Sequence, residues 1–321
     1  MSKHRFSAAS RHFTSQHSSG TVGLPAMVTA GILWGTGGPL GHLLALHGHL
    51  SALGVAGCRL LLGGMLVLLL LCVTRSPFPS GRTIWTRIFL IALLTALFQA
   101  SYFLAVIVTN VSIATLITIG FAPVAVVAVE LLQRRRSLTK QLAATMLTAG
   151  IGLVLLLGAP GERITVLTII LGGAAALASA VFFAITTLVI ANSPDRIEPA
   201  VQTGYSFTVG GLLLVPFSVL AGDSGSFTVN ATSVASALGL AVVPTVLAYW
   251  LYFHALRTVS ATQAALLTLI EPLAAALIGC LFLGERLTTS GLLGAGFIAG
   301  AMIGAVRGIG PKGVSEDPER R

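Results

Sequence analysis

The chain has 321 residues, of which 55% are hydrophobic and only 9% are charged, and its formal net charge is +9. Soluble domains carry about 25% charged residues, so this chain has too few charges to cover a water-facing surface of its size. The composition excludes a soluble enzyme, a disordered chain and a nucleic-acid-binding domain, and it predicts an integral membrane protein.

The first 21 residues contain serine, histidine and basic side chains but no apolar run. The apolar run that follows is too long for the hydrophobic core of a signal peptide. We therefore expect a disordered cytoplasmic tail followed by an uncleaved first transmembrane helix.

Ten apolar runs follow one another, each close to the roughly 20 residues that a helix needs to cross the hydrocarbon core. Several consist of Ala, Leu, Val and Gly without period-2 alternation, which disfavours a β-barrel. The sequence therefore predicts an all-α integral membrane protein with ten transmembrane helices. These spans 1 to 10 cover residues 22–46, 51–73, 88–108, 111–132, 141–158, 166–191, 200–221, 234–256, 261–283 and 289–306.

The basic residues are distributed unevenly between the predicted loops. If the N-terminus is cytoplasmic, only Arg163 and Arg286 fall on the outer side, and Arg59 lies within span 2. All the other lysines and arginines then face the cytoplasm. The positive-inside rule therefore predicts a multi-pass protein of the inner membrane with both termini in the cytoplasm.

The two halves of the sequence resemble each other. Pro123-Val-Ala-Val in span 4 corresponds to Pro272-Leu-Ala-Ala in span 9, and Gly64 in span 2 corresponds to Gly211 in span 7. Because each unit has five helices, the second copy must insert in the opposite orientation. Inverted repeats are typical of secondary transporters, whose substrate site lies near the midplane where the halves meet. The predicted domains are a cytoplasmic tail at 1–21, five-helix repeats at 22–160 and 161–307, and a second cytoplasmic tail at 308–321.

Several short motifs add a family resemblance. They are Ile-Leu-Trp-Gly at 32–35, Arg-Leu-Leu-Leu-Gly at 59–63, and Glu-Pro at 271–272 followed by Gly-Glu-Arg-Leu-Thr at 284–288. Together with the ten-span inverted repeat, they resemble the EamA-type transporters of the drug/metabolite transporter superfamily. The resemblance implies secondary transport, often export, of small metabolites such as amino acids, or of drugs. It also implies a central cavity lined largely by spans 1, 3, 4, 6, 8 and 9.

The leading hypothesis is a secondary transporter that exports an amino acid-like or drug-like amphiphile by alternating access. An intramembrane lipid-modifying enzyme is the alternative from another class, but it needs several convergent acids, bases or nucleophiles. A structural membrane scaffold is a further alternative. We expect no enzymatic activity, cofactor, metal or nucleic acid. The expected partners are the substrate, the lipid bilayer and protons as a candidate coupling ion, and a monomer is favoured over a dimer.

Glu271 is the only acidic residue near the middle of any predicted span. A carboxylate at that depth costs about 2.5–3.5 kcal/mol on insertion scales, so it should face a wet cavity or stay protonated. It could contact a substrate amine or carry a proton. The alternative is a buried carboxyl group that is hydrogen-bonded to a neighbouring helix.

Three polar-tipped side chains are further candidates for substrate binding. Gln99 and Tyr102 share one face of span 3, and Trp34 lies near mid-depth in span 1. Together they could line a pocket for a small amphiphilic molecule. Packing and hydrogen bonding between helices is the alternative.

Two prolines and two residues of span 8 complete the candidate substrate-binding set. Pro123 and Pro272 each remove a backbone donor, which leaves carbonyls free to meet a ligand or water; a packed kink is the alternative. Tyr252 and His254 lie towards the cytoplasmic end of span 8. Aromatic residues there usually form an interfacial belt, whereas a cavity wall or proton coupling at His254 is the functional alternative.

Charged residues within or near the spans have structural interpretations. The guanidinium of Arg59 needs a partner or a route to water, and we favour a structural role over pairing with Glu271 or with a substrate carboxylate. Glu130 precedes Arg134 by four residues, which predicts an ion pair on the helix surface.

Span 10 carries a stripe of small residues, Gly296, Gly300 and Gly304. Such a stripe lets another helix approach closely. The family resemblance implies packing against span 5 of the same chain, and dimerisation is the alternative.

Overall fold

The computed structural model describes residues 19–158, 165–193, 197–220, 222–223, 227–282 and 287–308. Within these ranges the regular structure is helical and no β-strand forms. The helices are α1 (Ser19–Gly35), α2 (Gly37–Gly48), α3 (Ala52–Val73), α4 (Arg82–Val108), α5 (Val111–Leu132), α6 (Lys140–Leu157), α7 (Val166–Ala191), α8 (Pro199–Leu220), α9 (Ala231–Ala241), α10 (Ala248–Ala255), α11 (Ala261–Leu267), α12 (Ile270–Phe282) and α13 (Thr289–Gly308), with a π-helical turn, Val242–Leu247, between α9 and α10.

Nine helical stretches in the described residues are long and apolar enough to cross a membrane. Two of them join consecutive helices, because α9 continues through the π turn into α10 and α11 continues into α12. The remaining predicted span consists of α1 and α2, which have 17 and 12 residues. Span 1 is thus α1 with α2, spans 2 to 7 are α3 to α8, and span 10 is α13. The predicted all-α, ten-span fold is confirmed.

Spans 1 and 9, which the sequence predicts as continuous helices, are each interrupted just before a proline. Proline has no N–H to donate to the carbonyl four residues earlier, and its ring crowds that carbonyl. Span 1 breaks at Thr36, ahead of Pro39, and span 9 breaks at Thr268, ahead of Pro272. Each of these spans is therefore a pair of shorter helices.

Span 8 is interrupted by the π turn, which contains Pro244. The Leu240 carbonyl, four residues before this proline, instead accepts a hydrogen bond from Thr245 Oγ1 at 2.7 Å. By contrast, α5 runs without a break through Pro123. The two repeat prolines, Pro123 and Pro272, therefore occupy corresponding sequence positions in different local structures.

The packing of the helices follows a two-fold pattern. Span 3 packs on spans 6 and 7, and span 8 packs on spans 1 and 2. Likewise span 4 packs on span 6, and span 9 packs on span 1. Exchanging the first five spans with the last five leaves this pattern unchanged, as expected for two repeats of one unit.

Spans 2 and 7 meet at the glycines that the sequence comparison paired. A Cβ atom on Gly211 would lie 2.6 Å from the Leu61 nitrogen, and one on Gly64 would collide with the backbone of Thr208. The same separation along the chain relates Gly64 to Gly211 and Leu61 to Thr208. The contact is therefore reciprocal, and it requires glycine because the two backbones touch.

Spans 5 and 10 pack against each other through a second glycine pair. A Cβ atom on Gly152 would lie 2.8 Å from the Ile298 nitrogen, and one on Gly294 would lie 2.6 Å from the Gly152 carbonyl oxygen. The expected pairing of these two spans is present, but of the predicted glycine stripe only Gly304 takes part in it.

The predicted stripe on span 10 mostly faces away from span 5. Gly296 and Gly300 are exposed and have open space around their Cβ positions, and only Gly304 comes near α6, at Thr145. Residues two positions apart in an α-helix lie on nearly opposite faces. Because Gly294 points at α6, Gly296 points outwards, and the predicted packing role is wrong for Gly296 and Gly300.

Candidate functional site

A cavity of about 380 Å³ lies inside the bundle between the two repeats. In the described part of the chain, its wall is built from spans 1, 2, 3, 4, 6, 8 and 9. This is the set of spans that the family resemblance implies, with span 2 in addition. Spans 5, 7 and 10 contribute none of the described lining residues.

The cavity reaches one end of the bundle. Its wall includes Ala45 and Val106 near the ends of α2 and α4, and Ala52 and Val111 at the starts of α3 and α5. None of the described lining residues lies at the opposite end of these helices. We call the end with the α2–α3 connection the open end.

The middle of the cavity is surrounded by backbone in which prolines interrupt the regular hydrogen bonding of the helices. Gly37 and Thr268 lie at the breaks in spans 1 and 9, and Pro244 lies in the π turn of span 8. Ile119, whose carbonyl lacks its usual donor because residue 123 is proline, also lines the cavity. Irregular backbone at membrane depth is tolerated where it lines a cavity, so these residues can offer main-chain groups to a ligand.

Three hydrogen-bond donors of the wall have no partner among the described residues. They are Trp34 Nε1, Arg59 Nε and Gln99 Nε2. Only 6% of Trp34 and 2% of Gln99 is exposed. Buried donors in native proteins are nearly always satisfied, so this group of donors marks a position where a ligand or water would accept hydrogen bonds.

Two opposite charges face the same cavity, Arg59 from span 2 and Glu271 from span 9. In the described structure no ion pair joins them, so the pairing that the sequence left open as an alternative is not formed. Neither charge is repeated in the other half. The position equivalent to Arg59 is Ser206, and the position equivalent to Glu271 is Ala122, which also lines the cavity.

An aromatic cluster built around Trp34 forms the inner part of the wall. The Trp34 ring centroid lies 5.0 Å from that of Tyr249, 5.0 Å from that of Tyr252 and 6.4 Å from that of Phe183. Tyr249 and Phe183 also line the cavity. The hydroxyl group of Tyr252 instead shares a 2.6 Å hydrogen bond with Thr187 Oγ1, which ties span 8 to span 6.

Four of the predicted substrate-binding residues line the cavity and four do not. Trp34, Gln99, Tyr102 and Glu271 form part of the wall. The four residues that the described cavity does not include are Pro123, Pro272, Tyr252 and His254.

Their surroundings explain why these four residues do not reach the cavity. The two prolines are buried between helices and act on the cavity only through the backbone one turn earlier. Tyr252 is 1% exposed within the aromatic cluster. His254 stacks on Trp250 with ring centroids 5.9 Å apart, and Trp250 is 41% exposed on the outside of the bundle.

Several wall residues were not among the predicted binding residues. Arg59, for which the sequence favours a structural role, is one of them, and His42 and Tyr249 are two more. The described lining also includes Phe183 and Thr118. In the described residues, no group of three His, Cys, Asp or Glu side chains is arranged to hold a metal ion.

The end opposite the open end is closed by packed side chains and polar links; we call it the closed end. Thr262 Oγ1 at the start of α11 donates a 2.5 Å hydrogen bond to Glu130 Oε2 near the end of α5. Glu130 also pairs with Arg136 at 3.7 Å. The predicted pairing with Arg134 is wrong, because α5 ends at Leu132 and Arg134 has a left-handed backbone with φ of 54°.

Comparison with known proteins agrees with this architecture. The profile of the EamA-like transporter family matches residues 21–158 and 170–307. The uncharacterized transporter YwfM of Bacillus subtilis is 30% identical over 84% of this chain and 88% of its own length. The uncharacterized inner membrane transporter YicL of Salmonella typhimurium is 27% identical over 88% of this chain and 94% of its own length.

A solved crystal structure has the same fold, with a TM-score of 0.72 at 18% sequence identity, over 91% of this chain and 97% of the other. The family profile and YwfM each account for most of the chain, and the profile matches once in each half. The protein therefore belongs to the EamA-like transporter family.

Proposed function

We propose that this protein is a secondary transporter that exports a small amphiphilic metabolite, amino acid-like or drug-like, across the inner membrane by alternating access. The observation that carries the proposal is the cavity between two repeats, which reaches one end of the bundle and is closed at the other. Transporters built from inverted repeats bind substrate at this position and expose it to each side in turn.

The direction of opening fits the topology proposed from the basic residues. With both termini cytoplasmic, the open end of the cavity faces outwards and the linked ends of α5 and α11 face the cytoplasm. This arrangement corresponds to the state that releases an exported substrate. The two-fold packing pattern supports a second state, in which the repeats exchange their roles and the cytoplasmic end opens.

The proposed substrate-contacting residues are Trp34, Gln99, Tyr102 and Glu271. Glu271 also serves as the proposed proton carrier, because it faces the cavity and acidic side chains within membrane spans commonly form proton relays. We assign Pro123 and Pro272 an indirect role. Each proline leaves the carbonyl group four residues earlier, at the cavity wall, without its usual hydrogen-bond donor. A transporter acting as a monomer needs no catalytic group, cofactor or metal for this cycle.

A matched pair of glycine substitutions tests whether the cavity is the transport route. Gly38 lines the cavity and has open space at its Cβ position, and Gly300 has the same open space on the outside of the bundle. In proteoliposomes supplied with amino acids and cationic dyes, Gly38→Trp should abolish flux and Gly300→Trp should preserve it. Equal flux in both variants, or no solute-dependent flux in the unmodified protein, would contradict the proposal.

A further inference from the structure

We propose that the turn between α3 and α4 binds an anionic phospholipid. Arg75 and Arg82 hold the headgroup phosphate, and the acyl chains lie against exposed apolar side chains of the turn and of α3. We call residues 74–82 the α3–α4 turn. The proposal goes beyond the proposed transport function, and it uses the proposed topology only to place the lipid in the cytoplasmic leaflet.

The α3–α4 turn begins with a backbone motif that favours glycine but carries arginine. Arg75 has a left-handed backbone with φ of 52°. The amide groups of Arg75 and Ser76 donate hydrogen bonds to the carbonyls of Cys72 and Leu71 at 3.1 and 2.9 Å. These are the two bonds of a Schellman motif, in which the left-handed residue is usually glycine. Because a side chain is unfavourable in this conformation, Arg75 costs stability, which indicates that its side chain serves another purpose.

The equivalent turn of the second repeat has the same backbone motif and different side chains. Gly222, with φ of 102°, occupies the position of Arg75, and the same two hydrogen bonds close the turn. Asp223 occupies the position of Ser76, and its carboxylate accepts a 2.6 Å hydrogen bond from the Ser51 amide. The motif itself therefore does not need an arginine. In the proposed topology the two turns lie on opposite sides of the membrane, and only the cytoplasmic one is basic.

Both arginines of the turn are available to an anion. Arg75 and Arg82 are exposed, and within the described ranges neither forms an ion pair or a side-chain hydrogen bond. Glu198, an exposed acid just before α8, pairs with neither of them. A guanidinium group binds phosphate through two parallel hydrogen bonds. Anionic lipids of the cytoplasmic leaflet attract basic side chains that lie next to a span, so the charge of the turn is complementary to their headgroups.

An aromatic cluster holds an apolar surface in the same turn. The Phe78 ring centroid lies 5.4 Å from that of Trp85 and 5.8 Å from that of Tyr205, and Trp85 Nε1 donates a 3.0 Å hydrogen bond to the Pro79 carbonyl. Phe78 is still 69% exposed, and Val73 at the end of α3 is 73% exposed. Tryptophan and tyrosine rings commonly lie at the headgroup level of a membrane. A phospholipid matches both the cations and the apolar side chains, whereas a soluble anion would leave Phe78 and Val73 in water.

Trp85 can report lipid binding directly, because it belongs to the aromatic cluster. The chain has three tryptophans, so a Trp34→Phe, Trp250→Phe background isolates its emission. In phosphatidylcholine vesicles, phosphatidylglycerol with brominated acyl chains should quench Trp85 more strongly than equally brominated phosphatidylcholine at the same mole fraction. Each arginine near an anionic surface raises affinity about fivefold, so two arginines should give phosphatidylglycerol a preference of about tenfold or more.

Arg75→Gly separates lipid binding from folding. Glycine suits the left-handed backbone, so the melting temperature in a neutral detergent should rise while the preference for phosphatidylglycerol falls about fivefold. Adding Arg82→Gln to Arg75→Gly should abolish the preference. Arg135→Gln is the matched control, because it removes one charge from an exposed site on the turn between α5 and α6, at the same end of the bundle. It should keep the full preference.

Three results would overturn the proposal. Equal quenching by the two brominated lipids would mean that the arginines serve only the insertion topology. An equal loss of preference in Arg135→Gln would mean that the overall charge of this end, rather than the α3–α4 turn, attracts the lipid. Inorganic phosphate that removes the preference, when chloride at the same ionic strength does not, would identify a site for free phosphate instead. Each of these results would leave the solute flux that tests transport unaffected.

Discussion

Thr262 Oγ1 donates a 2.5 Å hydrogen bond to the carboxylate of Glu130, which links the start of span 9 to the end of span 4 at the closed end of the cavity. Hydrogen bonds to charged groups contribute about 1.5–3 kcal/mol. The positions equivalent to Glu130 and Thr262 in the other repeat are Gly279 and Ile113, so the open end lacks this link.

Thr262→Val should therefore raise the equilibrium population of the state in which this closed end has opened, by roughly tenfold or more. A cysteine introduced at Ala255, which is buried near that end, should react faster with a maleimide reagent in the Thr262→Val background. Thr148→Val, at an exposed site on α6, is the matched control and should leave the rate unchanged. Equal rates in all three backgrounds would mean that the Glu130 link does not hold this end closed.

Gly211→Ala should destabilise the fold, because its Cβ would meet the Leu61 backbone at 2.6 Å. Overpacking of this kind costs about 1–3 kcal/mol, and thermal unfolding in detergent would measure the loss. Gly296→Ala is the control, since nothing lies near its Cβ position and alanine favours a helix more than glycine does. A loss of stability in Gly296→Ala alone would reverse the assignment of the contacting faces.

Tyr252→Phe should reduce stability without changing substrate affinity. The variant loses the 2.6 Å hydrogen bond to Thr187, which contributes about 0.5–1.5 kcal/mol, but Tyr252 is not part of the cavity wall. Parallel measurements of the melting temperature and of the solute concentration that gives half-maximal flux in proteoliposomes would separate the two effects. A tenfold weaker affinity at unchanged stability would instead assign Tyr252 a direct contact with the substrate.

Glu271→Gln should fold and insert but should lose the pH dependence of transport. The amide keeps the size and shape of the side chain, while it removes the proton that the carboxyl group can bind and release in the cavity. Flux would be measured across roughly pH 5 to 8, the range in which physiological proton switches operate. Normal transport by this variant at every pH would exclude a titrating role for Glu271.

Sequence reasoning reached the architecture because hydropathy, glycine positions and charge distribution are properties of the chain itself. The depth of a polar side chain along its span was enough to select Trp34, Gln99, Tyr102 and Glu271. Which face of a helix meets the cavity was less predictable in span 8. Its π turn, Val242–Leu247, rotates the following residues relative to a regular helix.

The rotation has a direct consequence for the two tyrosines of span 8. Tyr249 reaches the cavity, and Tyr252 packs against span 6. Pro244 is the residue in the sequence that indicates an irregular turn in span 8, but the sequence analysis did not use it. The glycines of span 10 were predicted less well for a different reason. The spacing of Gly296 and Gly300 indicates a helix face without side chains, but it does not indicate whether another helix packs on that face.

The measurement that tests alternating access most directly is the labelling of one cavity residue from each side of the membrane. Ala122 lines the cavity, and the native cysteines are Cys58, Cys72 and Cys280. Ala122→Cys in a cysteine-free background should react with an impermeant maleimide added to either side, and transported solute should slow both reactions. Reaction from the open end alone, under all conditions, would contradict the account.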